Sequence, residues 1–437
     1  MHRRQFLRSI PVAAAAAASA SLARAEDGFP HGEPQMKRWN EQRWVLDNII
    51  QANGVDWDQG HTSVLLRACG LEVQGEMTAL RQRVRKYADI VPAFEAMARR
   101  REAKALEFEQ DDAPIPARDN YYIAAAYWAT AMWGIEEHGP RIRRYNEKKR
   151  ENFAKYMKLA DHKIEWVELP YRGKTLPGVF HLPPGYKTGD KVPVIVGVPG
   201  MDGFKERFVS LYADGWMARG YAVFVIEGPG YWESPVRGIF VNVEGWMETG
   251  KEIMKWLRAR PEVDANRVAA IGSSFGSFFS AAMISDEPAF KACAVTGTCY
   301  DPGGHAIFDE ASPTFKKRFM FMSGVHDEAE FEKFRKTIDW KGFAPKIKAP
   351  FLVLGGESDE LCPLEHTEAF VKALGGPKQL VVYQDSRHSL GGAAVANGPE
   401  PRIYQQEWIG KRLKGAPMTN ERWFVENSGR VQKTQIG

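Results

Sequence analysis

The N-terminal third of the chain has the hydrophobic pattern of helices. From residue 36 to about residue 160, apolar residues recur at helical spacing, and almost no alternating or continuous apolar run indicates a strand. The predicted helices cover 39–49, 77–104 with a break at Pro92, 121–133 and 141–159. We therefore predict a helical cap domain at residues 26–160.

From residue 163 onward the pattern changes to short apolar runs separated by helical segments. The first two runs alternate and predict an antiparallel pair, whereas the later ones are continuously apolar, which is typical of buried parallel strands. The predicted strands are 163–169, 178–182, 192–198, 222–226, 268–271, 292–296, 351–354 and 380–383. Predicted helices lie at 203–219, 245–260, 277–285 and 364–374. We predict an α/β fold at 161–437, with about eight mostly parallel strands and helices on both faces.

One motif stands at the end of the fifth predicted strand, Gly272-Ser273-Ser274-Phe275-Gly276. An apolar strand precedes it and a helix rich in small residues follows, which is the context of a nucleophile elbow. The two glycines leave room for a sharp turn between strand and helix. We therefore predict that Ser274 is a nucleophile raised above the end of the sheet.

The other candidates follow neighbouring strands, because active sites of such sheets gather at the carboxyl ends of the strands. Asp359 follows the seventh predicted strand, with Glu357 and Glu360 as local competitors, and His388 follows the eighth. The order Ser274, Asp359, His388 is the one in which this kind of triad occurs along a chain. We predict that His388 is the base for Ser274 and that Asp359 orients it.

A glycine-rich turn, Pro199-Gly200-Met201-Asp202-Gly203, follows the third predicted strand. Such a turn can direct a backbone N–H toward a substrate carbonyl, and the residue after the nucleophile supplies a second N–H. The predicted oxyanion hole is therefore formed by the amides of Met201 and Phe275.

These motifs resemble the α/β-hydrolase superfamily over about residues 160–410. Within it the chain is similar to the group that contains fermentation-respiration switch protein esterases, 2,6-dihydroxypseudooxynicotine hydrolase and fungal polyketide-shortening hydrolases. The matching segments are 199–206, 227–230, 272–276, 312–313 with the Phe-rich helix after it, and 355–359. The helical N-terminal third resembles the group's cap only in its placement.

The resemblance implies cleavage either of ordinary esters or of carbon–carbon bonds next to an aromatic ketone, since both begin with attack at a carbonyl. The chain departs from the group's pattern at Tyr231-Trp232, where a small or polar residue is more usual, and at His305, where some members have an acid. Tyr231, Trp232, Asp301 and His305 are the predicted pocket residues. For Asp301 the alternative is a tight turn, and for the two aromatic residues it is core packing.

We predict a serine hydrolase that acts on a small-molecule ester of modest size with an aromatic or apolar group. The alternatives are a C–C bond hydrolase, an acyl-peptide-type peptidase, and a non-enzymatic ligand-binding protein on a hydrolase scaffold. No propeller pattern precedes the catalytic part, which counts against the peptidase. The triad chemistry requires no cofactor, and the four cysteines show no CxxC or zinc spacing, so no cofactor or metal is predicted.

The first 25 residues predict export. Arg3-Arg4 is a twin-arginine signature, residues 10–22 are an apolar stretch too short to span a bilayer, and Ala23-Arg24-Ala25 is a small-x-small cleavage site. Removing 1–25 takes away four arginines and no acid, so the formal net charge falls from +4 to zero. We expect a periplasmic or secreted protein without stable membrane insertion or a nucleic-acid partner, and we keep a homodimer as an open expectation.

Overall fold

The computed structural model describes residues 36–436. The predicted signal segment 1–25 therefore lies outside the described residues. Between residues 36 and 436, no helix has both the length and the apolar composition needed to cross a membrane.

The described part of the cap, from residue 36 onward, contains six α-helices, of which α5 is central and is packed between α4 and α6. They are α1 Lys37–Asn53, α2 His61–Cys69, α3 Gln74–Arg83, α4 Ile90–Gln110, α5 Pro114–Met132 and α6 Pro140–Leu159. The predicted break at Pro92 is wrong, since Pro92 lies in the first turn of α4 and the interruption spans residues 84–89. A proline is tolerated in a first turn because its missing N–H would have no partner there.

A single ten-stranded sheet forms the core of the described residues, in the order β1-β2-β4-β3-β5-β6-β7-β8-β9-β10. The strands are β1 Ile164–Tyr171, β2 Lys174–His181, β3 Val192–Val198, β4 Ala222–Ile226, β5 Val263–Ser274, β6 Ala292–Thr298, β7 Phe351–Gly356, β8 Lys378–Tyr383, β9 Glu421–Val425 and β10 Val431–Gln435. Strands β3 to β9 pair in parallel, while β1, β2 and β10 pair antiparallel to their neighbours. The predicted α/β class is confirmed.

Helices cover both faces of this sheet, as alternate residues of one strand show. In β3, Val194 and Val196 contribute to the core that extends into the cap, whereas Ile195 contributes to the core beneath the opposite face. The helices of the catalytic part are α7 Glu233–Val236, α8 Val243–Arg258, α9 Phe275–Ser285, α10 Pro313–Ser323, α11 Glu328–Phe334, α12 Leu364–Ala373, α13 Ala393–Asn397 and α14 Pro401–Leu413.

The sheet has two more strands than the sequence pattern predicts. β9 and β10 are short, and only Val425 among their residues is buried. Their composition carries little apolar periodicity, so β9 is defined mainly by its parallel pairing with β8.

The predicted helix at 203–219 is wrong. This segment contains only short 3-10 turns, at Lys205–Arg207 and Met217–Arg219. The side chains of Lys205 and Glu206 are fully buried among other charged groups. A regular helix with the predicted apolar periodicity does not form where these charged side chains are buried.

These buried charges form a cluster between the cap and the sheet. Lys149 of α6 lies 3.0 Å from Glu206, and Lys205 lies 2.8 Å from Glu206, 3.0 Å from Glu227 and 2.6 Å from Glu233 (Nζ to carboxylate oxygen). All five side chains are at most 2% exposed. The cluster connects a cap helix to the loops after β3 and β4, and the loop after β3 includes the turn next to Ser274.

Candidate active site

Ser274 is the last residue of β5 and immediately precedes α9. Its backbone has φ 54° and ψ −131°, a region that non-glycine residues rarely occupy. A Cβ at Gly272 would lie 2.2 Å from the carbonyl oxygen of Gly276, and a Cβ at Gly276 would lie 2.3 Å from that of Val198. The motif glycines are therefore required sterically, as a nucleophile elbow demands.

The structure brings Ser274, His388 and Asp359 together in one hydrogen-bonded path. Ser274 Oγ is 3.0 Å from His388 Nε2, and His388 Nδ1 is 3.0 Å from each carboxylate oxygen of Asp359. Because the carboxylate only accepts, Nδ1 carries the proton and Nε2 is left to accept from the hydroxyl. This tautomer can remove the proton of Ser274 when the oxygen attacks.

The loop after β7 holds the Asp359 carboxylate in place. Its Oδ1 also accepts hydrogen bonds from the amides of Leu361 at 2.9 Å and Cys362 at 3.0 Å. Asp359 and His388 are both more than nine-tenths buried. The orientation of the imidazole is therefore constrained by the backbone as well as by the carboxylate.

The two competing acids on this loop bind backbone amides instead of the imidazole. Glu357 accepts from the amide of Asp385, and Glu360 accepts from the amide of His388, each at 3.0 Å. They tie the loop after β8 to the loop after β7 and so position His388, whereas Asp359 is the only one of these three acids that hydrogen-bonds the His388 ring.

The pKa of His388 is raised above its ordinary value. Burial alone would lower it, but the charge of Asp359 and the hydrogen bond to it outweigh burial, with a further contribution from the charge of Glu360. The imidazolium that forms when Ser274 loses its proton is therefore stabilised by this environment.

The turn after β3 lies directly against the elbow. The Gly203 amide donates to the Gly200 carbonyl at 2.9 Å, which closes a turn around Met201. A Cβ at Gly200 would lie 3.1 Å from the Ser273 carbonyl oxygen and 3.2 Å from Ser274 Cβ, which is closer than ordinary van der Waals contact, so a side chain here would press against the serine. The Met201 amide hydrogen-bonds no group within residues 36–436, and Phe275, the first residue of α9, has no preceding turn to accept from its N–H.

A cavity of about 800 Å³ opens above Ser274, between the catalytic part and the cap. The catalytic part lines it with Ser274, His388 and Met201, and α2 of the cap lines it with His61 and Arg67. The cap therefore forms one wall of the space in which a substrate would meet the serine.

Tyr231 and Trp232 do not line this cavity, contrary to their prediction as pocket residues. Tyr231 is fully buried and packs edge-on against Trp246 with ring centroids 5.3 Å apart, and Trp232 is stacked on Phe204 at 4.1 Å. The turn after β4 directs both rings into the core beneath the cap, which is the packing alternative.

Asp301 and His305 also lie outside the Ser274 cavity. Asp301 accepts a hydrogen bond from the Ala306 amide at 2.8 Å, which is the turn chemistry considered as its alternative. The His305 side chain is 66% exposed and is 3.3 Å from Arg335, beside a separate surface depression. The loop after β6 turns away from the elbow at this point, so neither residue reaches the serine.

Cys299 and Arg207 are among the neighbours of the site that sequence reasoning missed. Cys299, just after β6, places its Sγ 3.7 Å from Ser274 Oγ, and burial raises the pKa of its thiol well above the ordinary value. Arg207 lines the cavity and donates to Thr130 Oγ1 and the Asp202 carbonyl. Cys299 follows a predicted strand and could have been found by the same rule as His388, whereas Arg207 lay in a segment predicted to be helical.

No group of three or more His, Cys, Asp or Glu side chains within residues 36–436 is arranged to hold a metal ion. The four cysteines are buried and unpaired.

Comparisons with known proteins agree with this site. Residues 245–415 match the prolyl oligopeptidase family, and residues 143–314 match the X-Pro dipeptidyl-peptidase (S15) family. Both ranges include the elbow at Ser274, and each covers less than half of the chain.

Curated relatives include several fungal hydrolases. The α/β hydrolase gkaG of Penicillium citrinum is 31% identical over 209 residues, which are 46% of this chain and 49% of the relative. The α/β hydrolase psoB of Aspergillus fumigatus is 28% identical over 236 residues, which are 51% of this chain and 52% of the relative. The similarity thus extends over only about half the length of these relatives.

Two solved structures share the fold over most of the chain. The crystal structure of a 2,6-dihydroxy-pseudo-oxynicotine hydrolase has a TM-score of 0.64 at 20% identity, covering 87% of this chain and 97% of its own. AbyA5 has a TM-score of 0.59 at 14% identity, covering 82% and 96%. The sheet, the elbow and these comparisons together show an α/β-hydrolase fold.

Proposed function

We propose that the protein is an exported serine hydrolase that cleaves a small ester with an aromatic or apolar group through an acyl-enzyme. The observation that supports this most directly is the hydrogen-bonded path from Ser274 through His388 to Asp359, at the base of a cavity of about 800 Å³. A cavity of this volume falls within the range of small-molecule sites.

The proposed reaction begins when Ser274 Oγ attacks the ester carbonyl and His388 Nε2 takes its proton. Asp359 holds the imidazole in the reactive tautomer and stabilises the imidazolium. His388 then protonates the departing alkoxide or phenoxide oxygen, and a water activated by the same base hydrolyses the acyl-enzyme.

The amides of Met201 and Phe275 are the proposed oxyanion donors. Both lie next to Ser274, one on the turn after β3 and one at the start of α9. The Met201 amide has no backbone acceptor within the described chain, and the Phe275 amide has no preceding helical turn to accept from it. Two N–H groups fixed in this way stabilise charge on the carbonyl oxygen without reorganising during the reaction.

An apolar or aromatic substrate is supported by the cavity wall, which includes the side chains of Met201, Phe204, Phe208, Trp216 and Phe315. Charged groups, among them Arg67 and Arg207, line the same space. A substrate with one apolar end and a polar group elsewhere fits this combination.

The test combines covalent labelling with turnover. A fluorophosphonate should label the wild-type protein and leave Ser274→Ala unlabelled, and phenyl esters should be hydrolysed only by the wild type. An unlabelled wild-type protein that is folded by circular dichroism would refute the proposal.

Two other reactions use the same nucleophile. Carbon–carbon bond hydrolysis is favoured by the fold shared with a 2,6-dihydroxy-pseudo-oxynicotine hydrolase over 87% of this chain. Peptide hydrolysis is favoured by the two peptidase families that residues 143–415 match, but what precedes β1 in the described chain is a helical cap instead of a propeller. Aryl β-diketones and acyl-peptide anilides in the same assay would distinguish the three.

Export is proposed from residues 1–25 alone. Fractionation of cells that express the full chain should recover it from the periplasm or medium, and Arg3→Lys with Arg4→Lys should retain it in the cytoplasm. A homodimer stays a prediction, which sedimentation equilibrium would test.

A further inference from the structure

A second histidine lines the same cavity as Ser274, on the part of the wall that the cap contributes. His61 begins α2 of the cap, is 7% exposed, and lines the cavity together with Ser274 and His388. Among the histidines of the described chain, only His61 and His388 line this space. The cap therefore contributes a titratable ring to the site.

An aspartate orients His61, as Asp359 orients His388. His61 Nε2 is 2.8 Å from Asp58 Oδ1, and this oxygen also accepts from the Gln59 amide at 2.8 Å. The other oxygen of Asp58 accepts from Thr314 Oγ1 of α10 at 3.3 Å. The carboxylate is thus fixed from both the cap and the catalytic part.

Aromatic packing fixes the ring of His61 itself. Its centroid lies 4.0 Å from that of Trp133 and 6.0 Å from that of Trp57. With Nε2 bound to Asp58, Nδ1 makes no hydrogen bond to any group in residues 36–436. The pair is therefore rigid and leaves one ring nitrogen available to a ligand.

The charges that surround His61 keep it protonated more readily than an ordinary histidine. Burial would lower its pKa, but the charge of Asp58, the hydrogen bond to it and the charge of Asp202 raise it, against an opposing contribution from Arg207. Burial also raises the pKa of Asp202, although the charges of His61 and Arg318 oppose this. A protonated His61 can donate through both nitrogens.

We propose that His61, oriented by Asp58, is a second catalytic residue that donates its Nδ1 proton to a substrate oxygen on the leaving-group side of the scissile carbonyl. This inference rests on the proposed attack by Ser274. It assigns His61 as the catalytic group and Asp58 as a positioning residue.

The His61–Asp58 pair should contribute most to catalysis when the leaving group departs as a carbanion. When Ser274 Oγ bonds to one carbonyl of a β-diketone and the adjacent C–C bond breaks, the electron pair moves to the departing carbon and onto the second carbonyl oxygen as an enolate. His61 Nδ1–H protonates that oxygen, and the enol rearranges to the ketone. Solvent returns a proton to His61 and removes one from His388, so that after deacylation one water has been added overall.

His61 takes the place that the sequence pattern suggested for His305. His305 is 66% exposed and outside the cavity, whereas His61 is buried in the cavity wall. An ester requires no second donor, because His388 protonates its leaving oxygen directly. The effect of removing His61 should therefore depend on the leaving group.

The experiment compares phenyl acetate with benzoylacetone, an aryl β-diketone, in wild type, His61→Ala, His61→Gln and Asp58→Asn. We expect kcat/KM for benzoylacetone to fall by about 100-fold in His61→Ala, as for loss of a general acid, and kcat/KM for phenyl acetate to fall by much less. His305→Ala is the comparison variant and should leave both rates near wild type. Equal losses on both substrates, or no loss on either, would overturn the proposal.

The pH dependence of diketone cleavage in Asp58→Asn distinguishes a proton-donating role of His61 from a purely structural one. The donor must be protonated, so diketone cleavage should decline as pH rises through the pKa of His61. Removing the Asp58 charge lowers that pKa, and the decline should move to lower pH in Asp58→Asn. An unchanged position of this limb would count against the assignment.

A binding measurement distinguishes failure of the His61 assignment from failure of the proposed function. In the Ser274→Ala background, which cannot turn over, benzoylacetone should bind about tenfold more weakly when His61→Ala is added, as for loss of a hydrogen bond to a charged donor. Equal affinities, or no binding to Ser274→Ala, would overturn the role of His61. Absence of phosphonate labelling and ester turnover in the wild type would instead refute the proposed function.

Discussion

Lys149 and Glu206 form a fully buried ion pair, with Nζ and Oε1 3.0 Å apart, across the boundary between the cap and the catalytic part. Lys149 belongs to α6, and Glu206 follows the turn that contains Met201 by only a few residues. Docking of the cap is therefore linked directly to the loop that borders Ser274. A pair with no exposure to solvent gains little from attraction alone, but removing one partner leaves an uncompensated charge.

Lys149→Met should therefore lower the free energy of unfolding by about 3–5 kcal/mol, measured by urea denaturation. Lys148→Met is the matched control, because the Lys148 side chain is 32% exposed and its pairs with Glu102 and Glu151 are near the surface. The control should change stability by less than about 1 kcal/mol. Similar stability losses in both variants would show that burial of the pair is not what matters.

Gly272→Ala should abolish phosphonate labelling. The new Cβ would lie 2.2 Å from the Gly276 carbonyl oxygen, so the elbow must open and displace Ser274. Gly75→Ala is the control, since it lies in α3 with no atom within 4 Å of the added carbon. That change should preserve labelling and raise stability by up to about 1 kcal/mol. Normal labelling of Gly272→Ala would contradict the interpretation that a side chain at this position displaces Ser274.

The pH dependence of ester hydrolysis should follow His388. Attack requires the neutral imidazole, so kcat/KM should fall as pH drops through the pKa of His388, which lies above its ordinary value. Asp359→Asn removes the charge that raises this pKa, so the acid limb should move to lower pH. The rate should also fall by about 10⁴-fold, because the imidazole loses its enforced tautomer. An acid limb at the same pH in Asp359→Asn and wild type would reject Asp359 as the orienting acid. Glu357→Gln is the comparison variant.

The thiols should be inert in the folded protein. Cys69, Cys293, Cys299 and Cys362 are all buried and unpaired, and burial raises the pKa of each. Ellman's reagent should react with none of them in native buffer and with all four in guanidinium chloride. Fewer than four reactive thiols after unfolding would reveal a disulfide. Fast reaction in native buffer would show that Cys299, beside Ser274, is open to reagents.

The sequence by itself determined the fold class and the position of the elbow. Apolar runs and helical periodicity are local signals, and so is the need for small residues on both sides of Ser274. Asp359 and His388 were found because the carboxyl ends of parallel strands meet at one edge of the sheet, which makes chain order informative about position. β9 and β10 escaped the same reasoning because each is only five residues long and only Val425 among their residues is buried.

Only the tertiary structure decided what surrounds the serine. His61 is more than 200 residues from Ser274 in the sequence, and it lines the cavity because the cap packs over the sheet. The same packing buries Tyr231 and Trp232 in the core and leaves His305 on the surface, although all three follow strands as a pocket residue would. A motif encodes the geometry of its own turn, but the cavity wall that the cap contributes is built by long-range contacts whose partners no local pattern identifies.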